Sequence, residues 1–184
     1  MVRHAGTAYL ETEKLILRKF IEEDAKDMYN NWASDAEVTK FLTWPNHSSL
    51  EVSREVISSW INSYKNLESY QWAIELKESK NVIGSVSLMD IDNHNENCEI
   101  GYCLGKSFWN KGIMTETFLK IIEFAFCDIG FQRITGRHEV DNTASGRVLE
   151  KCGLKYEGIL RRINKNSRGI LKDCKYYSIL KNEY

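Results

Sequence analysis

The sequence contains a single proline, Pro45, among 184 residues, and it has no internal repeat or low-complexity tract. No stretch reaches the roughly 18 apolar residues of a membrane-spanning helix, and residues 1–10 lack the basic start and apolar core of a secretory signal. The formal net charge of −1 gives no general attraction to nucleic acid or to an anionic membrane. We therefore expect one cytoplasmic domain with no nucleic-acid or membrane partner.

Cysteine and histidine are too few and too scattered for a recognisable metal centre. The five cysteines form no Cys-x-x-Cys pair, and the four histidines stand singly along the chain. Metal sites need ligands at a repeatable spacing, and disulfide frameworks need paired cysteines. We expect reduced cysteines in the core and no metal. A Cys-His-Asp hydrolase made from Cys152, His138 and Asp141 is formally possible, but no activating context for the thiol is evident.

Alternating strand and helix patterns fill the rest of the chain. Period-two patterns rich in β-branched and aromatic residues predict strands over residues 14–20, 70–76, 82–90, 97–104, 132–137, 154–157 and 175–180. Apolar residues at helical spacing predict helices over residues 22–32, 49–67, 114–129 and 142–151. This order predicts a mixed α/β fold.

The most informative segment is Phe108-Trp109-Asn110-Lys111-Gly112-Ile113-Met114-Thr115-Glu116, which joins a predicted strand to a long predicted helix. A helix amino terminus leaves unpaired N–H groups and carries partial positive charge, so it favours a phosphate or pyrophosphate. The neighbouring segment Gly101 to Ser107 nearly matches a P-loop. Three residues instead of four separate its glycines, and the helix begins too late, so a nucleoside triphosphatase is disfavoured.

Three motifs along the chain occur in an order that is typical of one protein family. They are Glu99-Ile100-Gly101-Tyr102, Phe108-Trp109-x-Lys111-Gly112, and Asn142-x-x-Ser145-x-x-Val148-Leu149-Glu150-Lys151-x-Gly153. In these the chain resembles the GNAT N-acetyltransferases, specifically the RimJ/RimL-like branch, and the resemblance runs over residues 9–182. Residues 15–18 are similar to the family's opening strand, residues 41–45 to its substrate-side loop, and residues 156–158 to its late strand.

The resemblance implies an α/β (α+β) fold with a splayed, mixed, mostly antiparallel sheet flanked by helices. It implies one N-acetyltransferase domain over residues 9–182, preceded by a short extension over residues 1–8. It also implies that acetyl-CoA binds in the splay as co-substrate, without a metal, and that its acetyl group passes to a primary amine.

The resemblance assigns coenzyme contacts to three places in the chain. The backbone of Tyr102, Cys103 and Leu104 would line the pantetheine, and Asn142 would cap a helix and bond the pantetheine amide. The pyrophosphate would meet the loop residues Asn110, Lys111, Gly112, Ile113, Met114 and Thr115. Met114 departs from the family pattern, because the third position of this loop is usually glycine or alanine; a side chain pointing into the core would make it tolerable.

Two residues are candidates for proton transfer. Glu99 lies in an apolar run, and a carboxylate brought close to the core is a candidate base for the incoming ammonium. The alternative is a strand glutamate that faces solvent or pairs with a lysine. In many relatives a tyrosine at the position of Leu149 donates a proton to the departing thiolate. Since that tyrosine is missing here, Ser145 is the candidate donor; the alternative is that Ser145 is an ordinary polar helix residue.

The acceptor is less well specified by the sequence. Phe41, Trp44 and Trp72 are candidates to shape its pocket, although aromatic residues also commonly form a core. The basic segment Arg161 to Arg168 is typical of a solvated hairpin tip, or it could attract an acidic substrate.

The RimJ/RimL likeness favours the N-terminal amine of a protein such as a ribosomal protein, while small-molecule amines remain open. A homodimer is compatible with the sequence. A non-catalytic coenzyme A-binding module is the alternative function.

Overall fold

The computed structural model describes residues 2–184, which fold around one eight-stranded sheet. The strands are β1 (Leu10–Glu11), β2 (Leu15–Arg18), β3 (Tyr70–Leu76), β4 (Val82–Asp92), β5 (Asn97–Leu104), β6 (Arg133–Glu139), β7 (Lys155–Lys165) and β8 (Leu171–Leu180). The helices are α1 (Asp24–Met28), α2 (Ala36–Thr39), α3 (Leu50–Ser63), α4 (Ile113–Phe124) and α5 (Thr143–Lys151). Wider π-helical turns continue α1 over Tyr29–Ala33 and α4 over Ala125–Ile129.

The sheet order is β1-β2-β3-β4-β5-β6-β8-β7, and the neighbouring strands are antiparallel except for β5 and β6. The parallel pair is joined through α4, as a parallel connection requires a long crossover. Its pairing is short: it ends at Glu99 opposite Thr135, although β5 continues to Leu104 and β6 to Glu139. The two strands therefore splay apart, which confirms the predicted sheet type.

Apolar side chains form one cluster on each face of the sheet. The larger cluster packs α4 and the carboxyl-terminal part of α5 onto the sheet, and the smaller one packs α1 and α3 onto the other face. Strand β5 contributes to both, because successive side chains of a strand point to opposite faces. Ile100 and Leu104 lie in the larger cluster, whereas Cys103 lies in the smaller one.

Most of the predicted elements are present. Strands β3 and β5 have the predicted bounds, and Gly130, with φ of 95°, ends the long helix as expected. Strands β7 and β8 are longer than the predicted segments, and the two short elements β1 and α2 were not predicted. The basic segment is also not a free tip, because Arg161 to Lys165 belong to β7 and Ser167 donates its backbone N–H to the Leu42 carbonyl at 2.9 Å.

Two further expectations need correction or detail. Cys127 is exposed, whereas Cys98, Cys103, Cys152 and Cys174 are buried, and all five are free thiols. The prediction of an entirely buried set is therefore wrong for Cys127, which lies in the last turn before Gly130. The segment before β1 packs onto the domain, since the Arg3 N–H bonds the Ile129 carbonyl at 2.8 Å. No described helix is both long enough and apolar enough to cross a membrane.

Candidate active site

A cavity of about 970 Å³ occupies the splay between β5 and β6. It is lined by residues from the exposed edges of these strands, from the amino-terminal turns of α4 and α5, and from the loop after α2. Ligands of open α/β sheets commonly bind outside the carboxyl ends of the strands, where neighbouring strands separate. The cavity lies at such a place.

The start of α4 presents backbone donors to the cavity. Its first intrahelical bond runs from the Glu116 N–H to the Gly112 carbonyl, at 3.0 Å. The N–H groups of Ile113, Met114 and Thr115 therefore have no acceptor within the helix. Gly112 has φ of 77° and Asn110 has φ of 60°, and this tight left-handed turn directs the chain into the helix. The arrangement suits an anion.

The side chains around this turn are also suited to an anionic ligand. Met114 is only 4 % exposed and packs in the larger apolar cluster, so its bulk lies in the core rather than over the loop backbone. Lys111, Arg147 and Lys151 line the same cavity and are exposed. This end of the cavity therefore combines helix N–H groups with three cations, which fits the phosphates of coenzyme A.

The start of α5 places two predicted residues side by side. The Asn142 side-chain oxygen accepts a hydrogen bond from the Ser145 N–H at 3.3 Å, which confirms Asn142 as the helix cap. The Ser145 side chain is buried, and its Oγ accepts a hydrogen bond from the Tyr102 hydroxyl at 2.9 Å. Burial raises the pKa of Tyr102 to about 12, so this phenol remains protonated and able to donate at neutral pH.

Glu99 lies on the cavity wall at the point where β5 and β6 separate. It is 8 % exposed, and its Oε1 lies 3.1 Å from Nε of Arg137. Burial raises the pKa of Glu99, although the positive charge of Arg137 opposes the shift. Glu99 therefore neither faces bulk solvent nor pairs with a lysine. It is a buried carboxylate held by an arginine, and burial brings its pKa closer to the range in which a carboxylate can act as a base.

The exposed edge of β5 can provide backbone groups to a ligand. Pairing with β6 ends at Glu99, so residues 100–104 have no strand partner on that side. The Leu104 carbonyl accepts a hydrogen bond from the Trp109 indole at 2.8 Å. Trp109 thereby attaches the loop before α4 to the end of β5. The predicted residues Tyr102, Cys103 and Leu104 all line the cavity.

Two of the three predicted acceptor residues reach the cavity. Phe41 and Trp44 line it, on the loop that the hairpin between β7 and β8 contacts. Trp72 does not reach it. That side chain is 0 % exposed, packs edge-on against Phe124 and donates its indole N–H to the Ala8 carbonyl at 2.7 Å. Trp72 is therefore a core residue, and we withdraw it from the acceptor pocket.

Sequence reasoning missed several polar residues of the cavity wall. Those on the acceptor side are Gln71, Ser85, Ser87, Arg137, Glu139 and Asn164. Arg137 ended a predicted strand, whereas Glu139 lay two residues beyond its predicted end, so the sequence did not place the two side chains on one face. The remaining polar residues come from distant strands, and only the sheet order brings them together.

The structure argues against the two other chemistries suggested by the sequence. Burial raises the pKa of the Cys152 thiol to about 12, and its Sγ lies 3.7 Å from the Thr115 carbonyl. His138 directs Nδ1 to the Glu139 carbonyl, and Asp141 pairs with Lys172, so no hydrolase triad is assembled. The α-helix after β5 begins at Ile113 and not at the Lys106-Ser107 pair, which excludes the P-loop.

Comparison with known proteins agrees with this geometry. Residues 14–155 match the family model of the acetyltransferase (GNAT) domain. The chain is 35 % identical over 175 residues to the uncharacterized N-acetyltransferase p20 of Bacillus licheniformis, covering 95 % of this chain and 97 % of that protein.

Solved structures with the same fold include the following two. The microcin C7 self-immunity acetyltransferase MccE, in complex with acetyl-CoA and AMP, superposes with a TM-score of 0.81 at 26 % identity, covering 92 % of this chain and 93 % of that one. The ribosomal-protein-S5-alanine acetyltransferase of Vibrio fischeri shares the fold with a TM-score of 0.82 at 20 % identity, covering 95 % and 97 %. The chain belongs to the GNAT family and is an acetyl-CoA-dependent N-acetyltransferase.

Proposed function

We propose that this enzyme acetylates a primary amine by direct transfer, with Glu99 as the base and Ser145 as the donor to the leaving sulfur. The observation that carries the proposal is that a buried carboxylate, a buried hydroxyl and a helix amino terminus all line one cleft. The finer assignment of the acceptor is the N-terminal amine of a protein, such as a ribosomal protein. It rests on the likeness of the motifs to the RimJ/RimL branch.

Acetyl-CoA would bind along the exposed edge of β5. The N–H groups of Ile113, Met114 and Thr115 would hold the pyrophosphate, while Lys111 would neutralise its charge. Tyr102, Cys103 and Leu104 would follow the pantetheine, and Asn142 would bond its amide. This binding mode leaves the thioester between Glu99 and Ser145.

In this reaction the acceptor nitrogen loses two protons and the leaving sulfur gains one. The acceptor enters as an ammonium ion, since alkyl amines have pKa values near 10, and Glu99 removes the proton. The neutral nitrogen attacks the thioester carbonyl carbon, a C–N bond forms, and the C–S bond breaks, while the nitrogen gives its second proton to water and leaves a neutral amide. Ser145 gives its hydroxyl proton to the thiolate, and the Tyr102 hydroxyl, 2.9 Å away, is placed to replace that proton.

Positioning supplies much of the rate. Holding amine and thioester together can remove roughly 7–11 kcal/mol of the barrier, so the acid and base need only modest strength. An N–H of the exposed β5 edge would bond the carbonyl oxygen as negative charge develops on it. A donor of this kind is worth about 2.7–4 kcal/mol.

The test combines binding and turnover in one series. Calorimetry would measure acetyl-CoA affinity, and mass spectrometry would measure acetylation of a panel of small amines and N-terminal peptides. We expect binding together with turnover on one amine class, and a large loss of kcat in Glu99→Gln with coenzyme affinity retained. Binding without turnover on any amine would instead favour a non-catalytic coenzyme A-binding module. Retained kcat in Glu99→Gln would remove Glu99 from its proposed role.

A further inference from the structure

Glu139 is a buried carboxylate without a cationic partner. It is 3 % exposed and lines the cavity at the end of β6. Among residues 2–184, its carboxylate has one hydrogen bond, from the Asn164 side-chain nitrogen at 3.5 Å, and no lysine, arginine or histidine nitrogen within 4 Å. Buried charges are normally paired, so this carboxylate lacks a counterion that a ligand could supply.

The neighbouring cations are already engaged by other carboxylates. The Lys172 ammonium, which stabilises the Glu139 charge from a distance, is bonded to Asp141 at 3.1 Å. Arg137, two residues earlier on the same face of β6, is paired with Glu99. The acceptor side of the cavity therefore carries one more buried negative charge than it has cations to match.

Glu139 and the catalytic carboxylate share one chamber. Cys174 lies opposite Glu139 in the pairing of β6 with β8, and Glu99, Arg137, Glu139 and Cys174 all line the same cavity. The rim adds Glu37, an exposed carboxylate on α2. The exposed cations of the lining lie instead before the start of α4 (Lys111) and along α5 (Arg147 and Lys151), whose carboxyl end contacts Thr115 of α4, where the phosphates would bind. The cavity is thus cationic at one end and anionic at the other.

We propose that the acceptor is a dication: one amine reacts beside Glu99, and a second cationic group binds Glu139. This inference rests on the proposed function and adds a substrate class to it. The paired charge would be desolvated within the chamber, with Asn164 completing the hydrogen bonding of the carboxylate. Two sources can supply the same chemistry, namely a small diamine or a peptide with an arginine or lysine close to its amino terminus.

Matched pairs of acceptors test the proposal in the wild-type enzyme. The pairs are 1,4-diaminobutane against butylamine, and a peptide whose second residue is arginine against the same peptide with glutamine. We expect kcat/KM to favour the dication by about tenfold or more in at least one pair, mostly through KM, because a charged hydrogen bond is lost with the monocation. The pair with the larger ratio of kcat/KM values shows whether a small diamine or a basic peptide supplies the second charge.

Variants then assign the discrimination to Glu139. Glu139→Gln should reduce the ratio of kcat/KM for the dication to kcat/KM for the monocation to nearly one, with acetyl-CoA affinity retained. Asp173→Asn is the matched control, since it removes a nearby carboxylate outside the cavity lining whose hydrogen bond from the Arg162 N–H an asparagine oxygen can still accept, and it should keep the preference. Glu139→Asp keeps the negative charge and should retain part of the preference for the dication. It provides a second test if Glu139→Gln does not fold.

The possible failures are distinguishable. Equal kcat/KM for monocations and dications would overturn the dication inference and leave the N-acetyltransferase function intact. A preference that persists in folded Glu139→Gln would also overturn it, because another residue would then read the second charge. Absence of turnover on every amine would remove both the proposed function and this inference.

Discussion

The Tyr102 hydroxyl donates a hydrogen bond to Oγ of Ser145 across 2.9 Å, and this bond joins β5 to α5 across the splay. Since the serine oxygen accepts from the phenol, its own proton is free to point at a ligand. A leaving thiolate beside Ser145 would therefore meet a donor whose orientation is already set. The tyrosine comes from the strand and not from the helix position that Leu149 occupies.

Removing this bond should slow the chemical step without weakening coenzyme binding. We expect Ser145→Ala to lower kcat by about a hundredfold, in the range of general acid catalysis. Tyr102→Phe should lower it by about tenfold, the effect of one hydrogen bond. The double variant should be no slower than Ser145→Ala alone, because the tyrosine acts through the serine. Steady-state kinetics with calorimetric acetyl-CoA affinities would check this, and additive losses would contradict it.

The pH profile should reveal the environment of Glu99. Burial raises the pKa of this carboxylate, so it becomes protonated at a higher pH than an ordinary glutamate, whose pKa is about 4.3. Because the base must be ionised, we expect kcat/KM to fall as pH decreases through that raised pKa. Glu99→Gln should abolish this limb of the profile.

Two acceptors with different amine pKa values provide the control for this measurement. The limb that belongs to the amine should move with the acceptor, whereas the limb that belongs to Glu99 should stay. If the fall of kcat/KM at low pH shifts with the pKa of the acceptor, the fall belongs to the amine, and Glu99 is not the base that titrates there.

Trp44 and Trp72 should respond differently to truncation. Trp72 is completely buried, so Trp72→Ala should cost about 3–5 kcal/mol of unfolding free energy and lower Tm by about 10 °C. Trp44 is half-buried at the cavity wall, so Trp44→Ala should raise the acceptor KM with a much smaller change in Tm. Thermal unfolding and kinetics on the two variants would separate the roles, and an unchanged acceptor KM in Trp44→Ala would remove it from the pocket.

Thiol labelling should distinguish Cys127 from the other cysteines. It is exposed, whereas Cys98, Cys103, Cys152 and Cys174 are buried. We expect the native enzyme to react quickly at this one thiol and the unfolded enzyme to react at all five. Cys127→Ser should eliminate the fast phase. Any thiol that still reacts quickly in Cys127→Ser would contradict the burial of the other four cysteines.

Local sequence signals predicted most of the fold. Residues 70–76 and 97–104 were correctly assigned to strands because their β-branched and aromatic residues carry a strong pattern. Gly130 and Asn142 were recognised from the chemistry of helix ends. The splay, in contrast, is a relationship between strands distant in sequence, and it entered the prediction through family resemblance alone.

The parts that were missed depend on tertiary contacts. Trp72 was proposed as a pocket residue because sequence cannot show that its indole bonds Ala8, 64 residues away. The lengths of β7 and β8 were underestimated because bulges interrupt their alternation between Tyr156 and Gly158 and between Leu160 and Asn164. No local pattern marked Glu139 as functional, since its role is inferred from the pairing of the nearby cations Arg137 and Lys172 with other carboxylates.

The pleat of strand β5 places the proposed base, Glu99, and the tyrosine that bonds Ser145 on opposite faces of the strand. Glu99 and Cys103 lie on one face of the strand, while Tyr102 and Leu104 lie on the other face and pack with the larger apolar cluster. A single inserted or deleted residue within the strand would exchange these faces without altering its hydrophobicity. The length of this segment therefore matters to the site as much as its composition, because it decides which side chains lie on each face.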